Sequence, residues 1–316
     1  MGACIIETCK NERATIRAVN PARADPDQAA RLQSLLTQDK AALEASLGLD
    51  SGAARIEIQM LLQQVLGVSR AYLLAYPEQS LNEAQAAAYR TLLQRRLAGE
   101  PLAYILGERE FFGLTFRVTP ATLIPRADTE LLVELALARI PPHSVLRMLD
   151  LGTGSGAIAL SIAHARPDVE VTAVDASQET LDVARKNARH LNTGNVRLLR
   201  SDWFSALTGE RFDLIVSNPP YIADGDAHLA QGDLRFEPRA ALASGADGLD
   251  DIRRIVAGAK QHLNAGGWLL FEHGYDQAEP VRELLRQHGY AEVLSARDLA
   301  GIERVSGGCV ATDSVA

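Results

Sequence analysis

The sequence predicts an α/β fold in which a doubly wound, mostly parallel sheet follows a small all-helical domain and a β-hairpin linker. From residue 145 onward, short apolar runs alternate with helical segments, which is the pattern of successive βαβ units. Before residue 100, leucines and isoleucines recur at spacings of three and four residues, as on the buried face of an amphipathic helix. A stretch rich in aromatic residues separates the two patterns and predicts the hairpin.

Composition bounds the class of protein. The 316 residues are enough for two domains, and 47% hydrophobic with 23% charged residues is ordinary for a globular chain. The formal net charge of −8 argues against non-specific binding to nucleic acid, because such binding depends on neutralising phosphates. No apolar run is long enough to span a membrane, and residues 1–7 are too few and too acidic for a secretory signal. We therefore predict a cytoplasmic protein with no direct nucleic-acid or membrane contact.

The cysteines support this assignment. Cys4, Cys9 and Cys309 form neither an even disulfide framework nor the spacing of a zinc site, so we expect a reducing compartment and no metal. Residues 1–28 show no sustained periodicity and are expected to form an N-terminal extension without a chemical role. A redox pair between Cys4 and Cys9 is the alternative for this segment.

Residues 29–100 are predicted to form the helical domain. Gly48, Gly67 and Pro77 separate its helices, and the last helix is expected over residues 83–98. The apolar positions that define the helical spacing are Leu32, Leu35, Leu36, Leu43, Leu47, Ile58, Leu61, Leu62, Val65 and Leu66.

Residues 101–126 are predicted to form the hairpin linker, with Gly107 and Gly113 as its breaks. Its β-like residues are Tyr104, Ile105, Phe111, Phe112, Leu114, Phe116 and Val118. Residues 127–312 are the predicted α/β domain. Its expected strands are 145–150, 169–175, 196–199, 212–217 and 267–272, and its expected helices are 156–165, 179–191 and 249–263.

A glycine-rich turn follows the first of these strands and leads into a helix. It reads Gly152-Thr153-Gly154-Ser155-Gly156, and such turns let a ligand approach bare backbone N–H groups. Asp175 ends the next strand, where it is placed to accept hydrogen bonds from both hydroxyls of a ribose. Together they predict a nucleoside site. The turn alone fits a dinucleotide equally well, because Gly152, Gly154 and Ala157 also match the looser dinucleotide pattern.

The most informative segment is Asn218-Pro219-Pro220-Tyr221, which follows a predicted strand. Prolines lack N–H donors, so nearby carbonyls stay free to accept hydrogen bonds. The side-chain oxygen of Asn218 and the carbonyl of Pro219 would then each accept one hydrogen of a planar NH2 group, with Tyr221 against its face. An ordinary proline turn is the alternative for the dipeptide Asn-Pro alone.

Both segments lie at the carboxyl ends of parallel strands, where doubly wound sheets bind their ligands. A nucleoside and a planar NH2 group would therefore meet in one crevice. A methyl donor explains both features, since S-adenosyl-L-methionine carries adenine, a ribose and a sulfonium methyl group without a pyrophosphate. The product would be S-adenosyl-L-homocysteine.

With these features the chain closely resembles the protein-(glutamine-N5) methyltransferases that modify peptide chain release factors, the PrmC or HemK family. The resemblance covers nearly everything after Ala29, and Ala127 departs from a proline often found at that position. The matching segments are RRLAGEPLAYILG at 95–107, Phe111, IPR at 124–126, DTE at 128–130, DLGTGSG at 150–156, DWF at 202–204, NPPY at 218–221, RFEP at 235–238, FEHG at 271–274 and ER at 303–304.

The resemblance implies a helical substrate-recognition domain, a hairpin and a Rossmann-like methyltransferase domain. It implies that residues 152–156 contact the donor, that Asp175 binds its ribose, and that Trp203 with Asp202 flanks the adenine. Residues 218–221 would hold a glutamine, which in the family lies in the Gly-Gly-Gln motif of release factors. Phe111 is expected to help close the pocket, and the enzyme is expected to be a monomer.

Other polar residues have less specific patterns. Glu272 and His273 follow a strand. Residues at this position are as often structural polar groups packed beside the site as catalytic acids or bases, so we assign them no catalytic role. Arg126 and Glu130 have the four-residue spacing of a helical ion pair and are expected to form a clamp under the hairpin. Residues 233–237 are expected to form a solvated loop that could touch a protein substrate.

Rival functions remain at this point. An adenine amino-methyltransferase acting on nucleic acid would use the same Asn-Pro-Pro-Tyr turn on a flipped base, although the acidic charge disfavours it. A glutamine methyltransferase of a ribosomal protein is a nearer rival, and residues 124–130 favour release factors over it. A donor-binding regulatory module without turnover is the third alternative.

Overall fold

The computed structural model describes residues 31–312, and these residues divide between two compact units, the first ending at Tyr89 and the second beginning at Arg90. The predicted extension 1–28, with Cys4 and Cys9, lies outside the described residues. The predicted domain ranges stay a prediction. Within the described part of the chain, no helix is both long and apolar enough to cross a membrane.

The first unit is helical, as predicted. Its helices are α1 (Leu32–Leu47), α2 (Ser51–Leu66), α3 (Arg70–Ala75) and the first half of α4 (Glu83–Leu97). Gly48 and Gly67 end α1 and α2 in the left-handed conformation, with φ of +66° and +65°, which glycine adopts without steric cost. The carboxylate of Asp50 caps α2 by accepting hydrogen bonds from two backbone N–H groups of its first turn.

The predicted hairpin is confirmed. Strands β1 (Glu108–Phe111) and β2 (Leu114–Arg117) pair antiparallel around Phe112 and Gly113, which both have positive φ. The expectation that Tyr104 and Ile105 belong to its strands is wrong. They lie in the short helix α5 (Leu102–Leu106), because the carbonyl of Pro101 accepts hydrogen bonds from both backbone N–H groups.

The second unit is built on a seven-stranded sheet with the order β5-β4-β3-β6-β7-β9-β8. Strands β3 to β7 are parallel, whereas β9 runs antiparallel to both β7 and β8. The strands are β3 (Arg147–Leu151), β4 (Glu170–Asp175), β5 (Val196–Arg200), β6 (Phe212–Ser217), β7 (Leu263–Glu272), β8 (Ala291–Arg297) and β9 (Glu303–Cys309).

Helices cover both faces of the sheet, which confirms the predicted doubly wound fold. One hydrophobic core forms under α6 (Glu130–Arg139) and α7 (Ala157–Ala165), with α8 (Gln178–His190) beside them. The other forms under α9 (Asp250–Ala259) and α10 (Ala278–Gln287). Burial of these two apolar layers fixes the loops at the carboxyl ends of β3, β4 and β6.

The sequence pattern did not predict α6, α10, β8 or β9. Strand β9 is hidden from sequence reasoning by Gly307 and Gly308, since glycine is rare in strands. Gly307 is required by close packing, because a Cβ atom there would lie 2.2 Å from the carbonyl oxygen of Leu269 on β7. The glycine therefore marks a tight contact between strands.

Candidate active site

A cavity of about 520 Å³ opens at the carboxyl ends of β3, β4 and β6. The turn after β3, the end of β4 and the turn after β6 contribute to its wall, as expected for a doubly wound sheet. Its size is that of a small-molecule site. Residues of the segment 120–126 after the hairpin and of the segment 238–241 also line it.

The glycine turn adopts the conformation that its composition predicts. Gly152, Gly154 and Gly156 have φ of +69°, +58° and +86°, which other residues rarely adopt. The hydroxyl of Thr153 donates to the Asp150 carboxylate at 2.6 Å, which ties the turn to the end of β3. Burial raises the pKa of Asp150 to about 7, against the opposing effect of that hydrogen bond. Ser155 also lines the cavity.

Asp175 stands where the sequence predicts, at the last position of β4 and in the cavity wall. Its carboxylate accepts hydrogen bonds from the backbone N–H groups of Gly154, at 3.1 Å, and Ser177, at 2.9 Å. Burial raises the pKa of Asp175, and these backbone hydrogen bonds oppose the rise. A carboxylate held in this way has remaining lone pairs for hydroxyl donors in the cavity.

Trp203 forms an aromatic wall beside the glycine turn. A Cβ atom on Gly152 would lie 3.5 Å from its ring, so glycine permits the close approach. The indole N–H donates to Asp251 at 3.2 Å, which fixes the plane of the ring. Asp202, also in the lining, is held by two hydrogen bonds from Arg254 at 2.9 and 3.0 Å. The predicted contact of Trp203 and Asp202 with adenine stays a prediction.

Asn218 and Pro220 line the cavity, whereas Pro219 and Tyr221 are not part of its lining. The side-chain amide nitrogen Nδ2 of Asn218 donates to the hydroxyl of Thr129 at 3.1 Å. Among residues 31–312, no group donates to Oδ1 of Asn218 or to the carbonyl of Pro219. These two acceptors therefore have no donor within the described residues, and their predicted contact with a planar NH2 group stays a prediction.

Tyr221 is held at both ends. Its hydroxyl donates to Oε1 of Glu272 at 3.1 Å, and its carbonyl accepts from the side-chain amide of Gln277 at 3.0 Å. Glu272 is fully buried, and burial raises its pKa to about 7, against hydrogen bonding from Thr129 and Tyr221. Sequence reasoning set Glu272 aside and missed Gln277, for which the chain offers no local signal.

His273 is not part of the cavity lining. It is fully buried, and its ring nitrogens lie 2.8 Å from the carbonyl of Gly274 and from the hydroxyl of Ser306. Burial lowers its pKa. The side chain is therefore a neutral structural group at the end of β7.

Phe111 lies in the hydrophobic core and not in the cavity wall. Its ring is 1% exposed and meets the ring of Phe116 edge-on, with 6.1 Å between their centres. Its predicted role in closing the pocket stays a prediction.

Two expectations about the surrounding polar residues are wrong. Arg126 pairs with Glu237 and not with Glu130, whose carboxylate instead accepts the backbone N–H of Phe112 at 2.9 Å. The segment 233–237 is not fully solvated, because Glu237 is buried and also accepts the backbone N–H of Ile124. The contacts of Glu237 with Arg126 and Ile124 thus hold the segment 120–126 against the loop after Tyr221.

Known families match both parts of the chain. Residues 34–107 match the family model described as PrmC N-terminal domain, and residues 127–247 match the model described as Methyltransferase small domain. Three curated relatives carry the name release factor glutamine methyltransferase. The Bordetella pertussis protein is 57% identical over 82% of this chain and 96% of its own length. The proteins of Salmonella typhimurium and Escherichia coli are 52% and 48% identical, over 82% and 81% of this chain and 93% and 92% of theirs.

Solved structures show the same fold at lower identity. The hMettl16 catalytic domain, in complex with the MAT2A 3′UTR hairpin 6, is 19% identical and superposes with a TM-score of 0.52 over 75% of this chain and 86% of its own. Its complex with hairpin 1 gives a TM-score of 0.51 over 74% and 84%. At this identity the similarity establishes the fold alone.

Proposed function

Because the chain belongs to the release factor glutamine methyltransferase family, we propose that it methylates the side-chain amide nitrogen, N5, of a glutamine in peptide chain release factors. The target glutamine is that of the Gly-Gly-Gln motif, and the methyl donor is S-adenosyl-L-methionine. The observation that supports this most directly is that Asn218, whose side-chain oxygen has no donor among residues 31–312, lies in the wall of the cavity that Asp175 and Trp203 also line, next to the Pro219 carbonyl in the chain.

The cavity residues fit the donor. No atom of the described residues lies within 4 Å of the position that a Cβ of Gly154 would take, so its backbone is open to a ligand. Asp175 offers carboxylate oxygens to ribose hydroxyls, and Trp203 offers a fixed aromatic face to the adenine. When bound, the donor supplies an electrophilic methyl group on a sulfonium. The glutamine nitrogen would gain the methyl carbon as the C–S bond breaks, S-adenosyl-L-homocysteine would leave, and one N–H proton would pass to solvent, so no covalent nucleophile of the protein is required.

The acceptor pair addresses the main chemical difficulty. An amide nitrogen is a weak nucleophile because its lone pair is delocalised, and this conjugation underlies a rotation barrier of about 18–20 kcal/mol in peptide bonds. Asn218 Oδ1 and the Pro219 carbonyl would accept its two hydrogens and hold the nitrogen in place. Their stabilisation would grow as the nitrogen loses planarity, which favours the transition state over the ground state. Positioning supplies the rest of the rate.

The proposal is tested by incubating the protein with labelled donor and three acceptors. These are purified release factors, the same factors with Gln→Ala in the Gly-Gly-Gln motif, and DNA. We expect label on the unaltered release factors only. Label on DNA and not on release factors would establish the adenine amino-methyltransferase instead, and donor binding without any transfer would establish the regulatory module. The predicted monomer and cytoplasmic location stay predictions.

A further inference from the structure

Asn218 belongs to a chain of three polar side chains that the proposed reaction does not by itself explain. Its amide nitrogen contacts Thr129, and Thr129 lies against Glu272. A carboxamide has nearly the same shape when its oxygen and nitrogen are exchanged, so packing alone does not orient it. The orientation matters, because only the oxygen accepts a hydrogen from a substrate NH2 group.

Thr129 ends a 3₁₀ turn (Ala127–Thr129) and directly precedes α6. A threonine at this position often caps the helix, yet the Thr129 side chain makes no capping hydrogen bond here. It is 4% exposed and lines the cavity. A hydroxyl carries one hydrogen, so when Thr129 accepts from Asn218 its own hydrogen is available to another acceptor.

Glu272 supplies that acceptor. It ends β7 beneath the cavity, and its Oε1 accepts from Tyr221. Its Oε2 is buried and has no hydrogen-bond partner among residues 31–312, so it is an open acceptor for the hydroxyl of Thr129, which lies close enough to lower the pKa of this carboxyl. An ionised carboxylate only accepts hydrogen bonds. It therefore draws the Thr129 hydrogen toward itself and leaves the Thr129 oxygen facing Asn218.

We propose that Glu272 and Thr129 are positioning residues that fix the direction of the Asn218 carboxamide. The carboxylate sets the direction of the Thr129 hydroxyl, the hydroxyl oxygen binds Nδ2 of Asn218, and Oδ1 is thereby turned toward the substrate nitrogen. The reversed order would place an NH2 group of the enzyme against the NH2 group of the glutamine. This inference rests on the proposed function, since it concerns the same acceptor site.

The direction depends on the charge of Glu272. A neutral carboxylic acid has a hydrogen to donate, so it permits the reversed order. Besides the hydroxyl of Thr129, three ionisable groups act on the carboxyl of Glu272, namely Asp128, Tyr221 and Arg304. Burial, with Asp128 before α6, raises the pKa of this carboxyl to about 7, while Tyr221 and Arg304 on β9 oppose the rise. As the pH rises through this range, a growing fraction of the protein is therefore expected to have the productive direction of hydrogen bonds, with Oδ1 of Asn218 facing the substrate.

The first test compares two substitutions of Thr129. Thr129→Val keeps the shape and removes the hydroxyl, whereas Thr129→Ser keeps the hydroxyl. We expect Thr129→Val to lower kcat with a release factor by about 10- to 100-fold, as for an unpaired buried polar group. Thr129→Ser should retain most of the wild-type kcat, and donor affinity should be unchanged in both. A Thr129→Val enzyme with wild-type kcat would overturn the proposal.

The second test uses pH. At saturating donor, wild-type kcat is expected to rise between about pH 6 and pH 8, with a midpoint near that of Glu272. Glu272→Gln should have a lower kcat that no longer rises in this range. A rise of the same size in Glu272→Gln would refute the relay, because Asp150, whose pKa is also about 7, is present in both proteins. A flat wild-type profile would refute it even if that variant folds poorly. Failure of the proposed function is distinct, because wild-type protein would then label no release factor.

Discussion

The side-chain amide of Gln277 donates a hydrogen bond to the carbonyl oxygen of Tyr221 at 3.0 Å, although 56 residues separate them in the chain. The same amide lies 3.3 Å from the carbonyl of Asp247. Gln277 therefore joins the turn after β6 to the loop before α9. Gly248 sits between these groups, and its lack of a side chain makes the contact possible.

We expect Gly248→Ala to damage the site. Its Cβ would lie 2.3 Å from the Tyr221 carbonyl and 2.8 Å from the Gln277 amide, so the turn must shift. Gly209→Ala is the matched control, because Gly209 has φ of +78° against +76° and no atom within 4 Å of its Cβ position. Overpacking should cost Gly248→Ala about 1–3 kcal/mol more stability than the control, measured by urea unfolding. Equal losses would show that only backbone strain matters.

Asn218→Ala removes one of the two open acceptors. Methyl transfer should nearly cease, while donor affinity should stay within about one order of magnitude of wild type. Single-turnover kinetics with a release factor measure the first quantity, and calorimetry with the donor measures the second. Near-normal turnover would remove Asn218 from the proposed mechanism.

Trp203→Ala should weaken donor binding by about 10- to 100-fold, because stacking of a base on an aromatic ring contributes about 1–3 kcal/mol. The chain has two tryptophans, and the other, Trp268, contacts Arg139 outside the cavity. Trp268→Phe is therefore a control that should bind the donor normally. It also leaves Trp203 as the only tryptophan, so its fluorescence should change on titration with donor. An unchanged dissociation constant in Trp203→Ala would contradict the adenine assignment.

Glu272 should make the protein less stable as the pH rises. Burial raises its pKa from an ordinary 4.5 to about 7, so between these values the folded chain keeps a proton that the unfolded chain has lost. The free energy of unfolding therefore falls with pH in this interval. Glu272→Gln stays neutral and should gain up to about 3 kcal/mol relative to wild type between about pH 5 and pH 8. If the free energy of unfolding changes with pH in the same way in wild type and Glu272→Gln, Glu272 does not ionise in this range.

Arg126→Ala should destabilise the second unit, because it leaves the buried carboxylate of Glu237 without its partner. We expect a loss of about 2–3 kcal/mol, less than for a fully buried pair, since the Arg126 side chain is 34% exposed. Arg239→Ala is the control, because its ion pair with Asp224 is exposed on both sides. Thermal unfolding should place the control close to wild type. If the two variants have the same melting temperature, the ion pair between Arg126 and Glu237 makes no net contribution to stability.

Backbone features of this site are readable from sequence. The glycine turn requires positive φ, and proline removes donors whatever the surroundings, so Gly152, Gly154 and residues 218–221 could be interpreted locally. The parallel strands could also be predicted locally, because each is a short apolar run in the sequence. Strands β8 and β9 lack such runs and were missed.

Side-chain partnerships are not readable in this way. Arg126 has Glu130 at a helical spacing, yet it pairs with Glu237, 111 residues away. The reason is that Arg126 has an extended backbone and is followed by a 3₁₀ turn, so it does not lie on the same helix as Glu130. Asn218 and Thr129 are 89 residues apart, and no local pattern shows that they meet. Such pairings depend on the packing of the whole sheet. The residues expected to contact donor and substrate therefore come from local patterns, whereas the residues proposed to orient them do not.

The place of β9 in the sheet has a consequence for folding during synthesis. Among residues 31–312, strand β8 pairs only with β9, which follows it in the chain. Until residues 303–309 have been made, β7 presents an unpaired edge and β8 has no strand beside it. Unpaired edges recruit other strands, so we expect the nascent chain to be prone to aggregation at this stage. The insertion of the later strand between two earlier ones ends that stage and closes the edge beside Glu272.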